Sequence, residues 1–144
     1  MYRHCLILPL ALGCTAEPVD GVYTVSQTLR EDTCKAGSLH AIDEEVDVTR
    51  PQPGALKVSG WPLCSREAGS YVCTAEESFH NGDDAIFNTA TLTLTWDDPE
   101  HFTGTMTSVW ECEGSICAET ETYNEITFPC TEQRDLVGTW VDGV

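Results

Sequence analysis

Basic residues are scarce in this chain: seven Lys and Arg stand against 24 Asp and Glu in 144 residues, a formal charge of −17 at pH 7. That imbalance excludes nucleic acid as a partner, because affinity for it comes from Lys and Arg neutralising phosphates. It also sets the surface against anionic partners and favours a basic protein or a cationic ligand. A long apolar run is missing too. The first candidate spans residues 5–12, well short of the roughly 20 residues that a membrane-crossing helix needs. No long helical period of apolar residues is present, which argues against bundles and coiled coils. No Gly-rich phosphate cradle, Gly-x-Ser-x-Gly elbow or His-Glu-x-x-His helix occurs. His40, His80 and His101 stand singly, and the spacings Cys-x4-Cys and Cys-x8-Cys do not form the paired units of a structural zinc site. Neither metal nor cofactor is expected.

What is present begins with LPLALGC at residues 8–14. A basic start at Arg3, a short apolar stretch and a small exit residue, Gly13, have the layout of an export signal that is later removed. Pro9 argues against the alternative of a buried strand, since proline cannot donate to a central ladder. The ending Leu10-Ala11-Leu12-Gly13-Cys14 resembles the lipobox of bacterial lipoprotein precursors. The resemblance implies that residues 1–13 are a signal peptide, that Cys14 becomes the acylated first residue, that 14–20 form a short tether and that 21–144 are a single β domain. Thr15 after the Cys implies, by the same resemblance, the outer membrane if the cell is Gram-negative. Acyl chains anchor at about 0.8 kcal/mol per buried methylene, so the two or three of such proteins hold stably. Loss of Arg3 leaves six Lys and Arg against 24 acids, a formal charge of −18.

Cleavage would remove Cys5 and acylation would block Cys14, leaving Cys34, Cys64, Cys73, Cys112, Cys117 and Cys130. An even number in an exported domain reads as a disulfide framework, although six cysteines allow about 15 connectivities. Cys112 and Cys117 flank Glu113-Gly114-Ser115-Ile116, a loop of hairpin length, so the two face each other across a ladder with β-carbons about 4.5–5.5 Å apart. Between Cys64 and Cys73 lie the polar, Gly-bearing residues 65–70, which suggest a second hairpin staple. Cys34 to Cys130 follows by elimination.

Short runs of Thr, Val, Tyr, Phe and Trp between Gly, Pro, Asn and Asp place the fold in the all-β class. Strands are expected over residues 21–29, 40–48, 55–61, 71–79, 86–96, 102–112, 118–128 and 135–141, with an Asn81-Gly82 hairpin cue. About eight strands suit a small up-and-down antiparallel barrel or, alternatively, a two-sheet sandwich. The barrel is preferred because the first and last runs can pair and remove free edges. Gly138-Thr139-Trp140 and Gly21-Val22-Tyr23 resemble, faintly, the Gly-x-aromatic opening strand of lipocalin-type barrels.

Trp61, Trp96, Trp110, Trp140, Phe87, Phe102 and Phe128 are expected to build the core, with the lining of a cavity for a small apolar ligand as the alternative. Glu111, Glu113, Glu119 and Glu121 could supply paired carboxylates to a hydrolase, but a solvated strand face is the simpler account. Asp83 and Asp84, or Asp97, Asp98 and Glu100, could attract calcium, though turns select Asp anyway. The expectation is a monomeric, exported, lipid-anchored envelope protein that is not an enzyme and works as a binding or interaction module. A passive component with a filled core and an acid-based hydrolase are the alternatives.

Overall fold

The computed structural model describes residues 16–35 and 42–143. Among them the chain forms eight strands and one helix: β1 Gly21–Asp32, β2 Glu45–Thr49, β3 Ala55–Val58, β4 Cys64–Glu67, β5 Ser70–Asn81, β6 Asp84–Asp98, β7 His101–Glu113, α1 Ile116–Asn124 and β8 Cys130–Asp142. Each strand pairs with the next, and β1 closes on β8, so the sheet is an up-and-down antiparallel barrel and not a sandwich. Over the stretch where all eight strands pair, closure removes the unpaired edges that invite aggregation.

The β6–β7 pair shows how sequence sets the two faces. Thr91, Thr93 and Thr95 pair with Thr107, Thr105 and Thr103, and this ladder faces outward, where branched β-carbons fit the pleat and hydroxyls stay hydrated. The alternate residues point inward, so that Leu92 opposes Met106 and Trp96 opposes Phe102. All four are buried. The aromatic rings are packed into one another: Trp96 lies 4.9 Å from Phe102, and Tyr23 lies 5.9 Å from Trp96 and 5.6 Å from Phe102, centroid to centroid. Trp61, Trp96 and Phe102 are therefore core residues, whereas Phe87, Trp110, Phe128 and Trp140 are half-buried.

Strand length gives the barrel two unlike ends. β2, β3 and β4 have five, four and four residues, while β1 and β5 to β8 have 12 to 15. The floor end, where β1 starts and the β2–β3, β4–β5 and β6–β7 turns lie, is ringed by all eight strands. At the far end β1 and β5 to β8 run on as a curved five-stranded sheet.

Two expected elements differ. Residues 118–128, read as a returning strand, instead hold α1 and a loop. Asp84 Oδ1 accepts from the Ile116 amide and the Ser115 hydroxyl, both at 3.2 Å, and so satisfies the first turn of that helix. Cys112 and Cys117 are bonded, but they join strand to helix and are not the two sides of a hairpin. In the second case six of the eight residues between Cys64 and Cys73 are strand. β4 and β5 meet in the two-residue turn Ala68-Gly69, whose φ values of 48° and 86° suit a tight hairpin. Ser65 pairs with Val72, which brings Cys64 opposite Cys73.

The segment 16–20 straps the floor. Its amides bond across it, Ala16 N to Trp96 O at 3.4 Å and Val19 N to Pro99 O at 2.9 Å. Pro18 is buried and Ala16 packs on the core. The Tyr23 hydroxyl accepts from Trp96 Nε1 and sits 2.7 Å from Val19 O and 3.0 Å from Pro99 O, donating to one of them. Glu17 pairs with Arg66 and Arg50 and accepts the Tyr71 hydroxyl at 2.8 Å, while Asp20 Oδ1 accepts from Arg50 N and Nε at 3.2 Å.

Burial, then the hydrogen bond to Glu17 and its negative charge, push the Tyr71 hydroxyl up to about 12 from 10.0, against the weaker pull of Arg66 and Arg50. Since the folded value lies above the unfolded one, the contribution is complete below pH 10 and is lost as pH rises through about 12. Wild-type stability, followed by urea titration at stepped pH, is expected to fall across that window. Tyr71→Phe should flatten the fall while lowering stability at neutral pH; an unchanged slope would contradict the assignment.

Candidate functional site

Alternate residues of a strand share a face, so the inner surface can be read outward from the floor. On β6 it runs Trp96, Leu94, Leu92, Ala90, Asn88; on β7 Phe102, Gly104, Met106, Ser108, Trp110; on β8 Gly138, Leu136, Arg134, Glu132. The lower rows are apolar and the upper rows polar. Asn88, Ser108 and Glu132 are the buried polar residues among those described, at 1%, 0% and 0% exposure.

Register places Ser108 opposite Glu132 and Asn88 opposite Trp110. Asn88 Nδ2 donates to Ser108 Oγ at 2.7 Å and to Val109 O at 3.3 Å. Glu132 Oε1 accepts from Arg134 Nε at 2.6 Å, a charge-assisted contact to a guanidinium about one-third exposed. Three buried polar atoms of this cluster have no partner: Glu132 Oε2, Asn88 Oδ1 and Trp110 Nε1. Each such group costs about 1–3 kcal/mol relative to a satisfied one, so native folds rarely leave several together. The open set is two acceptors and one donor.

The short strands leave a gap beside β1. β1 pairs with β2 only through Thr24, and beyond it Val25 N bonds Glu44 O at 2.7 Å and Gln27 Nε2 bonds Ile42 O at 2.6 Å. A cleft of about 790 Å³ lies here, lined by Thr24, Val25, Ser26, Gln27, Glu44, Glu45 and Arg134. Arg134 is the link inward, since its Nε holds Glu132. The exposed carboxylates of Glu44 and Glu45 make the mouth acidic, because the Arg134 charge is already matched by Glu132.

The cysteines are brought together as expected from spacing and elimination: Cys34–Cys130, Cys64–Cys73 and Cys112–Cys117 are all bonded. Cys14 lies outside the described residues. Glu111, Glu113 and Glu119 are exposed, and Glu121 accepts the Phe128 amide at 2.9 Å, so these acids serve the surface and a loop. Asp98 accepts from the His101 ring at 2.8 Å and from the Glu100 amide at 2.9 Å; the His101 contact first, then that amide, hold its carboxyl below its ordinary value. Asp84 caps α1. Among the described residues no group of three His, Cys, Asp or Glu is placed to hold a metal, and no helix is long and apolar enough to cross a membrane. Compared with protein-family models, with curated proteins and with solved structures, the chain yields no match.

The pair Glu132–Arg134 was not anticipated. Its signal was present, because carrying the alternation of Trp140, Gly138 and Leu136 two steps back puts Arg134 and Glu132 on the inner face.

Proposed function

We propose that this is an exported, lipid-anchored envelope protein whose barrel binds, without catalysis, a small cationic ligand at its polar end. The observation that carries the binding site is the buried Glu132 carboxylate, whose second oxygen lies unpartnered in the same polar rows as Asn88 Oδ1. A ligand with two hydrogen-bond donors and one acceptor completes the open set, and a protonated amine supplies the donors. The ring of Trp110, opposite Asn88, adds an apolar face that attracts an ammonium group. Glu44 and Glu45 at the mouth and the formal charge of −17 favour the same sign of ligand. Export and acylation at Cys14 are supported by the lipobox and by three disulfides among the described residues, since such bonds persist in oxidising compartments. The reading includes a monomer, on the outer membrane if the cell is Gram-negative.

The test is a thermal-unfolding series with ethanolamine, putrescine and agmatine, with sodium acetate and glycerol as controls at matched ionic strength. At a hundredfold excess over Kd a ligand adds about 2.7 kcal/mol, a rise of several degrees in Tm. An amine is expected to raise the wild-type Tm and leave that of Glu132→Gln unchanged, since the amide turns an acceptor into a donor. No rise with any amine, or an equal rise in Glu132→Gln, would remove the site.

A further inference from the structure

We infer that the strap holds the barrel upright on its membrane, with the floor end against zwitterionic lipid headgroups and the polar rows around Glu132 held away from them. The inference rests on the acylation of Cys14 proposed above and adds the surface that meets the bilayer.

The first argument is length. Ala16 is fixed to Trp96 O and packed on the core, and only Thr15 separates it from Cys14. Two residue steps span at most about 7 Å. The body is far taller. β6 has 15 residues; at about 3.3 Å each and a tilt of about 40° such a strand rises roughly 38 Å along the barrel axis. A leash so much shorter than the object it holds does not let the object turn over. A flexible linker would reach its attachment from any side, whereas this one leaves from the floor alone.

The second argument is how firmly the strap is set. Val19 N, the Tyr23 hydroxyl, the Glu17 ion pairs and the Asp20 contacts with Arg50 bind it to β1, the β2–β3 connection, β4, β5 and the β6–β7 turn. Trp140 Nε1 adds a bond to Asp20 O at 3.4 Å. Releasing it requires breaking several of these together with the burial of Pro18 and Ala16.

The third argument is charge. Around the floor, Arg50 and Arg66 are tied to Glu17 and Asp20, while Glu67, Asp97 and Glu100 are exposed with no ion pair among the described residues. Such a rim is repelled by anionic lipid and tolerates headgroups that end in an ammonium.

The experiment uses the lipoprotein isolated from its host and isotopically labelled, weighed intact, then placed in phosphatidylethanolamine discs containing headgroup spin-labelled lipid. Relaxation falls with the inverse sixth power of distance, so with the ends roughly 38 Å apart the broadening is expected to be at least about tenfold stronger at the floor amides of Gly54, Gly69 and Glu100 than at Gly82 and Gly114. A Gly-Ser insertion of ten residues between Thr15 and Ala16 should even out the two groups. Equal broadening in the acylated wild type, or stronger broadening at Gly82, overturns the orientation and leaves the acylation standing. A mass without acyl chains on Cys14 overturns both.

Discussion

Replacing Cys34 and Cys130 together by Ser is expected to lower the unfolding free energy by about 4–5 kcal/mol, the largest loss from any one of the three crosslinks. The bond joins residues 96 apart, and in the chain-entropy account the cost of closing a loop in the unfolded state grows with the logarithm of its length. Cys112–Cys117, with a separation of 5, is worth only about 2 kcal/mol on the same reckoning. Position adds to the difference. Cys34 follows β1 and Cys130 opens β8, both buried, so the bond pins the end of the sheet where β1 has lost its β2 neighbour. Glu132 lies two residues along β8 from Cys130, which makes the crosslink a support of the candidate site as well. Single domains are stable by roughly 5–15 kcal/mol, so the double variant should unfold at much lower urea than wild type, with a larger m-value because the unfolded chain without the crosslink is less compact. A loss no larger than that of the Cys112/Cys117 double variant would show that the long loop does not dominate.

Much of the architecture was legible because it depends on a period of two. The Thr-out, apolar-in alternation of residues 86–112 by itself sets which side chains of β6 and β7 face the core and which face out. What was not legible depended on distant partners. Residues 118–128 alternate weakly and carry Thr, Tyr and Ile, which reads as strand, yet the start of α1 is secured by Asp84 from another hairpin. β4 was hidden because Ser65, Arg66 and Glu67 are exposed and polar; only Cys64 faces the core, and four residues with one buried side chain have no readable pattern. The polar end of the barrel was missed for a related reason. Glu132 and Arg134 look like solvated surface in an acidic chain, although the alternation running back from Trp140 puts both inward, as the pairing of Ser108 with Glu132 shows. The sequence of the strap reads as a mere tether because Glu17 and Asp20 find their cations on β4 and the β2–β3 connection, 49 and 30 residues away.

Gly138→Ala is the substitution of a single atom group from which the largest effect is expected, about 3 kcal/mol of destabilisation or more. Register puts Gly138 directly opposite Phe102, and the phenyl ring lies across the space a side chain would take. A Cβ at Gly138 would stand 2.0 Å from Phe102 Cε1 and 2.1 Å from Cζ, far inside van der Waals contact. The ring has nowhere to go, since it is fully buried and packed on Tyr23 and Trp96, and the Tyr23 hydroxyl is held by the strap. Displacing it would therefore loosen the floor as well as the core. Gly54→Ala supplies the contrast: its Cβ would meet nothing within 4 Å, so only the strain of its φ of 76° remains, a cost of order 1–2 kcal/mol. Pairing Gly138→Ala with Phe102→Leu separates the two components, because the smaller side chain should return part of the loss if ring overlap is its cause. Thermal unfolding of the two single variants and the double variant measures that coupling. If Gly138→Ala is no worse than Gly54→Ala, the close approach of Phe102 to the β8 backbone is not what fixes glycine there.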